Sequence, residues 1–361
     1  MMRGMRPFLI AASLICTAAP AAHAETDHGL IARAALSQVI RPGYAALTQA
    51  TTALDGKVEA LCTTPSARAL DQTKQAFAAT VMSWSRVEIF RFGPVIKAHR
   101  YERLFYWPDP KGIGLRQVQR ALADKDQTAA DPATLAKKSV ALQGLPALEY
   151  LLYGAGAETL NKGADGAFRC RFAAAIAANM ANIAAEVEQA WGDDAPFTKA
   201  FLDPGPDDPL YRAPKDVTLE LFKAFTSGIE LVRDQKLGKP LGASAERAKP
   251  RLAALWRSGL SFQNMVGNLE AVRRLFTEGG FAGVVAQESP GVEASILFDI
   301  DRGIKVLSAI DAPIADAVRE PVLRAKLEAL RVALKSARDT AGAMIARGAG
   351  LSFGFNAMDG D

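Results

Sequence analysis

The chain has 361 residues, of which 49% are apolar, 23% charged and 7% aromatic, a composition that supports a large packed core and excludes disorder. Its formal net charge of +4 becomes +2 once Arg3 and Arg6, which lie in an export signal, are set aside, leaving 41 basic against 39 acidic residues. That near-balance excludes a nucleic-acid-binding protein, which needs a basic stripe.

Residues 1–24 read as a secretory signal peptide. Arg3 and Arg6 form its charged start, Pro7 to Thr17 its apolar run, and Ala22-His23-Ala24 a small-x-small cleavage site. The run is too short to span a bilayer. Ile15 stands where lipidation of Cys16 would need a small residue, so the expected product is soluble, periplasmic and begins at Glu25. No later stretch reaches transmembrane length without a charge.

Apolar periodicity and punctuation predict helices from Asp27 to Cys62, with Pro42-Gly43 kinking or breaking it, and from Ala67 to about Phe92, stopped by Gly93-Pro94. Short helices follow around 115–123 and 132–143. A long one runs from Gly163 to Trp191, and others cover 217–235, 260–278, 292–308 and 320–347. No alternating strand pattern occurs, so the expected class is all-α with no significant sheet. The Asp- and Pro-rich stretch 193–213 reads as a linker or surface loop between an N-terminal domain, 25–192, and a C-terminal domain, 214–361.

Beyond the signal two cysteines remain, Cys62 and Cys170, and a lone pair in an exported protein reads as a disulfide; the alternative is two buried free thiols. Closing that loop would contribute about 4–5 kcal/mol in the chain-entropy model.

One stretch, 144–154, carries the main candidate. Leu145, Leu148 and Leu152 fall on a helical stripe about 60° wide, and Glu149 lands about 40° from Leu145, at its edge. A carboxylate there either salt-bridges a neighbouring helix or forms part of a ligand or ion site, because burying an unpaired charge costs several kcal/mol. Glu88, sharing a face with Val81 and Trp84, is a second acid directed at packed residues. Between them lies an irregular segment holding His99, Arg100, Trp107 and Asp109. Its aromatic and charged residues resemble a binding loop, the alternative being aromatics that plug a core. Glu88, Glu102, Asp109 and Glu149 together could form an oxygen-only site for a hard cation.

Several landmarks in order resemble the imelysin family of exported bacterial proteins. They are Trp84 to Pro94, Phe105-Tyr106-Trp107-Pro108-Asp109, Gly112 to Gln119, the 144–154 stretch, Trp256 to Ser261 with Asn268-Leu269-Glu270, and Gly354-Phe355-Asn356 with Asp359-Gly360-Asp361. The resemblance covers nearly all of the mature chain. It implies two helical domains, each built like a four-helix bundle, with the functional surface between them. It also implies a tie to iron uptake, with iron or another divalent or trivalent metal as ligand and envelope iron-uptake components as partners, and it brings a peptidase label. The family signature Gly-x-His-x-x-Glu reads here Gly144-Leu145-Pro146-Ala147-Leu148-Glu149, with Pro146 in place of the His. Proline has no donor atom, so half of the implied ligand pair, with Glu149 and Glu88 left as candidates, is gone.

The residues themselves carry no catalytic constellation. The mature chain holds only His28 and His99, with no His-Glu-x-x-His and no Gly-x-Ser-x-Gly. The expected function is therefore a non-catalytic periplasmic binding protein of iron or metal acquisition; a metal-dependent peptidase and a metal-free envelope scaffold are the alternatives.

Overall fold

Asp27 starts the first helix: its carboxylate accepts from the Leu30 amide at 2.8 Å. The computed structural model describes residues 26–160 and 162–351. The expected signal peptide and the terminal motif from Gly354 onward lie outside the described residues. Among the described residues the regular structure is helical, without a strand, and the fold class is all-α.

Helix α1 covers 28–63 in three continuous segments, His28–Ala34, a π-helical Ala35–Ile40 and Arg41–Thr63. Pro42 and Gly43, the expected breaking point, do not interrupt it. The wider π turn just ahead makes room for the proline ring. Pro42 has no N–H to offer the Gln38 carbonyl, and the Arg274 guanidinium supplies that carbonyl with a donor instead.

Helix α2, Ala67–Ser85, opens on Ser66, whose hydroxyl accepts from the Ala69 amide at 3.0 Å. It ends earlier than the expected Phe92. The Asn268 side-chain amide donates to the Ser85 carbonyl at 2.8 Å, occupying the acceptor that Ile89 would use to prolong the helix. A 3-10 stretch, Gly93–His99, then leads through α3, Arg100–Leu104, and α4, Ile113–Ala123, to α5, Gly144–Tyr153, and the long α6, Gly163–Ala190. After α7, Pro196–Leu202, comes α8, which runs 214–241 through Pro214–Glu230, a π-helical Leu231–Gly238 and Lys239–Leu241. The chain closes with α9, Ser261–Thr277, α10, Phe281–Glu288, α11, Val292–Ser308, and α12, Pro321–Gly348.

In the first half α1 packs along α2 and α6, and α5 lies on α6; in the second, α12 packs on α8, α10 and α11, and α9 on α11. The halves meet where α2 lies against α9, and one apolar core is continuous across that junction. Gly267 permits the approach: a Cβ there would stand 2.5 Å from the Ser85 Cβ. Cys62 and Cys170 form a disulfide with Cα atoms 5.6 Å apart, joining the end of α1 to α6 across 108 residues.

The 193–213 stretch is more anchored than its composition suggests. It contains α7 and buries Phe197, Phe201 and Tyr211 around Trp191 and Phe92, with ring centres 5.1 to 6.1 Å apart in the Trp191–Phe197 and Phe92–Phe201 pairs. Its three aromatic rings, not its acids and prolines, decide where it sits, because each hides far more apolar surface. No helix among the described residues is long and apolar enough to cross a membrane.

Candidate functional site

Helix α5 is fixed at both ends. Gly144 has φ +76°, and a side chain there would collide with the backbone carbonyls of Arg103 and Leu104, so the helix starts hard against α3. Beside it the buried Gln143 side-chain Oε1 accepts from Arg103 at 3.0 Å and from Asn179 at 2.8 Å. At the other end Arg169, from α6, donates to the carbonyls of Tyr150, Leu151 and Ala155 at 2.9 to 3.0 Å. Of these, the Leu151 carbonyl lies in the last turn of α5, where carbonyls lack a partner further along the helix.

So held, α5 presents Glu149 to the second half of the chain. The side chain is buried, with 2% exposure. Oε1 accepts from the Ser258 amide and from the Ser258 hydroxyl, both at 2.8 Å. The Arg257 guanidinium stands 3.9 Å from Oε2, too far for a direct hydrogen bond. Burial raises the Glu149 pKa; the two Ser258 donors and the Arg257 charge oppose it without cancelling it.

Glu149 forms part of the wall of a cavity of about 540 Å³ between the two halves, a size that suits a small molecule. From the first half come Tyr106, Trp107, Asp109, Pro146 and Tyr150; from the second, Lys239, Arg251, Trp256 and Arg257. Pro146 and Glu149, three apart on one helix, thus share the cavity face. The Trp107 indole donates to the Leu252 carbonyl at 3.3 Å, tying the two walls together. The Arg257 guanidinium lies 4.4 Å from the Trp256 ring centre and 5.5 Å from that of Tyr150.

Glu88, the second expected metal ligand, does not line this cavity. It lies in a buried polar cluster where α2 and α9 meet. Its Oε2 accepts from the Lys236 ammonium at 2.6 Å, from Asn268 at 3.0 Å and from Asn264 at 3.1 Å. Lys236 also donates to the side-chain carbonyls of Asn264, at 2.5 Å, and Asn268, at 2.7 Å. All three ammonium protons are thus matched by acceptors within the cluster, and the cation that Glu88 pairs with is Lys236. Burial pushes the Lys236 pKa down to about 8 against the pull of Glu88. The ammonium stands 5.6 and 5.7 Å from the Phe105 and Trp107 ring centres, so it backs the aromatic wall of the cavity.

The other expected residues divide. Trp107 and Asp109 line the cavity, but both Asp109 oxygens accept backbone amides, from Ile113 at 2.7 Å and Gly114 at 2.8 Å, at the start of α4. His99 does not reach the cavity: it is exposed and lies 3.9 Å from Glu102. Arg100 pairs with Glu186 at 2.9 Å and donates to the Pro94 carbonyl, also away from the cavity. The oxygen-only set is therefore not assembled, and among the described residues no three His, Cys, Asp or Glu side chains form a group fit for a metal ion. Sequence reasoning missed Ser258, Arg257, Arg251 and Lys236 as site residues. The pair Asn264 and Asn268 was the available signal: two amides four apart sit on the otherwise largely apolar face of an amphipathic helix.

Two groups of helices closing on a cavity walled by aromatic rings, three cations and one buried carboxylate define an all-α protein with a small-molecule pocket at its junction. The chain belongs to the imelysin family, whose sequence profile matches residues 40–341. It is 22% identical over 311 residues to iron-regulated protein A of Synechococcus elongatus, covering 84% of this chain and 82% of that protein. Its fold is that of an imelysin-like protein from Psychrobacter arcticum, with TM-score 0.75 and 16% identity over 91% of this chain and 97% of the other. A chain from Parabacteroides distasonis described as an iron-regulated protein A precursor superposes equally well, with TM-score 0.75 at 14% identity, covering 90% and 97%.

Proposed function

We propose that this protein is a periplasmic, non-catalytic member of the imelysin family that holds a small ligand in the Glu149 cavity and serves iron or metal acquisition together with envelope iron-uptake components. The iron association rests on the relatives, two of which are iron-regulated proteins by name. The binding role rests on one observation: a 2%-exposed carboxylate, fixed by a helix locked at both ends, forms part of the wall of a cavity of about 540 Å³. Such a group destabilises the fold unless something is gained by keeping it there. The reading treats 25–192 and 214–361 as two bundle domains with the cavity at their junction.

The donor set does not fit a bare ion. Pro146 offers no ligand atom, Glu149 Oε1 is already taken by two Ser258 donors, and both Asp109 oxygens are bound by amides. The cargo is accordingly a ligand that brings its own donor atoms for any metal. Catalysis has no support either: His28 pairs with the Thr218 hydroxyl at 3.0 Å, His99 is exposed, and the Ser258 hydroxyl faces Glu149.

Calorimetric titration of the mature protein with ferrous, ferric and zinc ions and with small organic chelators, alone and iron-loaded, tests the reading. Binding of a chelator or its complex that weakens in Glu149→Gln and in Trp256→Ala is expected. Failure of every metal and chelator to bind would overturn it, as would chelator-sensitive cleavage in a broad peptide screen.

A further inference from the structure

The charges around the cavity are unevenly spent. Of its two acids, Asp109 is bound by two amides and Glu149 by Ser258, with Arg257 nearby. Arg251 and Lys239 are different: both are exposed at the cavity edge, and neither pairs with a carboxylate or donates a hydrogen bond among the described residues. Arg251 lies 5.7 Å from the Trp256 ring centre, which fixes where its guanidinium sits but leaves its donors unused. The rest of the lining is largely aromatic and aliphatic, with half-buried Tyr106 and Trp107 from the first half and Leu252, Ala253, Leu255 and Trp256 from the second. A cationic mouth over an apolar pocket selects a molecule with an anionic end and a flat apolar body.

We infer that the cavity binds an aromatic or otherwise flat organic carboxylate, its oxyanion held at the mouth by Arg251 and Lys239 and its body against the aromatic lining of Tyr106, Trp107 and Trp256. This rests on the binding role proposed above and names the class of ligand. The guanidinium and ammonium neutralise charge without needing any donor from position 146, which explains how the site works with a proline there.

The test is calorimetric titration of the mature protein with 2,3-dihydroxybenzoate, with catechol as the same ring without charge and benzylamine as the cationic counterpart, each with and without ferric ion. The dihydroxybenzoate is expected to bind at least about tenfold tighter than either counterpart, and more weakly as salt rises. Arg251→Gln and Lys239→Gln, both at exposed positions, should each weaken it about three- to fivefold while leaving catechol unchanged. Unchanged melting temperatures of the two variants show that the fold is intact. Equal or better binding of catechol or benzylamine, or indifference to both variants, overturns the anion assignment while leaving a binding cavity in place. Absence of binding by all three probes and by ferric ion overturns the binding role as well.

Discussion

The ammonium of Lys236 stands 2.6 Å from Glu88 Oε2, and neither side chain exceeds 1% exposure, so an ion pair is sealed where the two halves of the chain meet. It is held there by the π-helical turn 231–238, which places Lys236 just before Pro240, much as the turn at 35–40 precedes Pro42. Removing one partner leaves a buried charge facing two asparagines. Lys236→Met should therefore cost about 3–5 kcal/mol, with Lys236→Met combined with Glu88→Leu recovering part of the loss. Urea unfolding of the parent, each single variant and the double variant measures it; an additive double variant would show that the pair is not a coupled unit.

Glu149 imposes a pH dependence of known sign. Its folded pKa is raised by burial, so between its unfolded value and that raised value the folded state holds more protons than the unfolded one. The Glu149 contribution is then fully present below the unfolded pKa and is lost as pH rises through the folded one. Glu149→Gln keeps an acceptor for Ser258 and removes the charge. Its stability relative to the parent should rise as the pH is stepped upward from about 4, the ordinary carboxylate range, read from thermal melts. A constant difference across that range would contradict it.

Pro146 faces the cavity with Glu149 one helical turn on. Pro146→His would put an imidazole beside that carboxylate, and zinc or ferrous affinity should rise by more than about tenfold, the lower end of losses known for lesser changes at metal sites. The fold should change by under about 1 kcal/mol, because first-turn amides have no partner to lose. Titration of both forms with each ion decides, and equal affinities would place any metal elsewhere.

Two glycines should be intolerant to different degrees. Gly267→Ala gains up to about 1 kcal/mol of helix propensity but drives a methyl into the Ser85 Cβ, and overpacking of this kind costs about 1–3 kcal/mol, for a small net loss. Gly144→Ala meets backbone carbonyls that cannot swing aside and a φ of +76°, so its loss should be larger and should disturb the cavity. Denaturant midpoints rank the two; the reverse order would show that α5 can start elsewhere.

Replacing both cysteines by serine should lower stability by about 2–4 kcal/mol, given the 108-residue span that the bridge closes. Parallel melts of the oxidised parent and the variant check it.

What the sequence determined by itself is local. Helix positions and Glu149 at the edge of a leucine stripe are written in spacings of three and four residues. The cysteine pair was legible too, because beyond residue 24 the sequence offers no other cysteine. What only the tertiary structure decided involves residues far apart in the chain. Glu88 and Glu149 look alike as acids beside apolar residues, yet one meets Lys236, 148 residues on, and the other meets Ser258, 109 residues on. Helix α2 stops at Ser85 because Asn268 takes its carbonyl, and 193–213 is anchored because its aromatic residues find Trp191 and Phe92. The charge state and the freedom of a side chain are set by what packs against it, and periodicity along one helix carries no record of that.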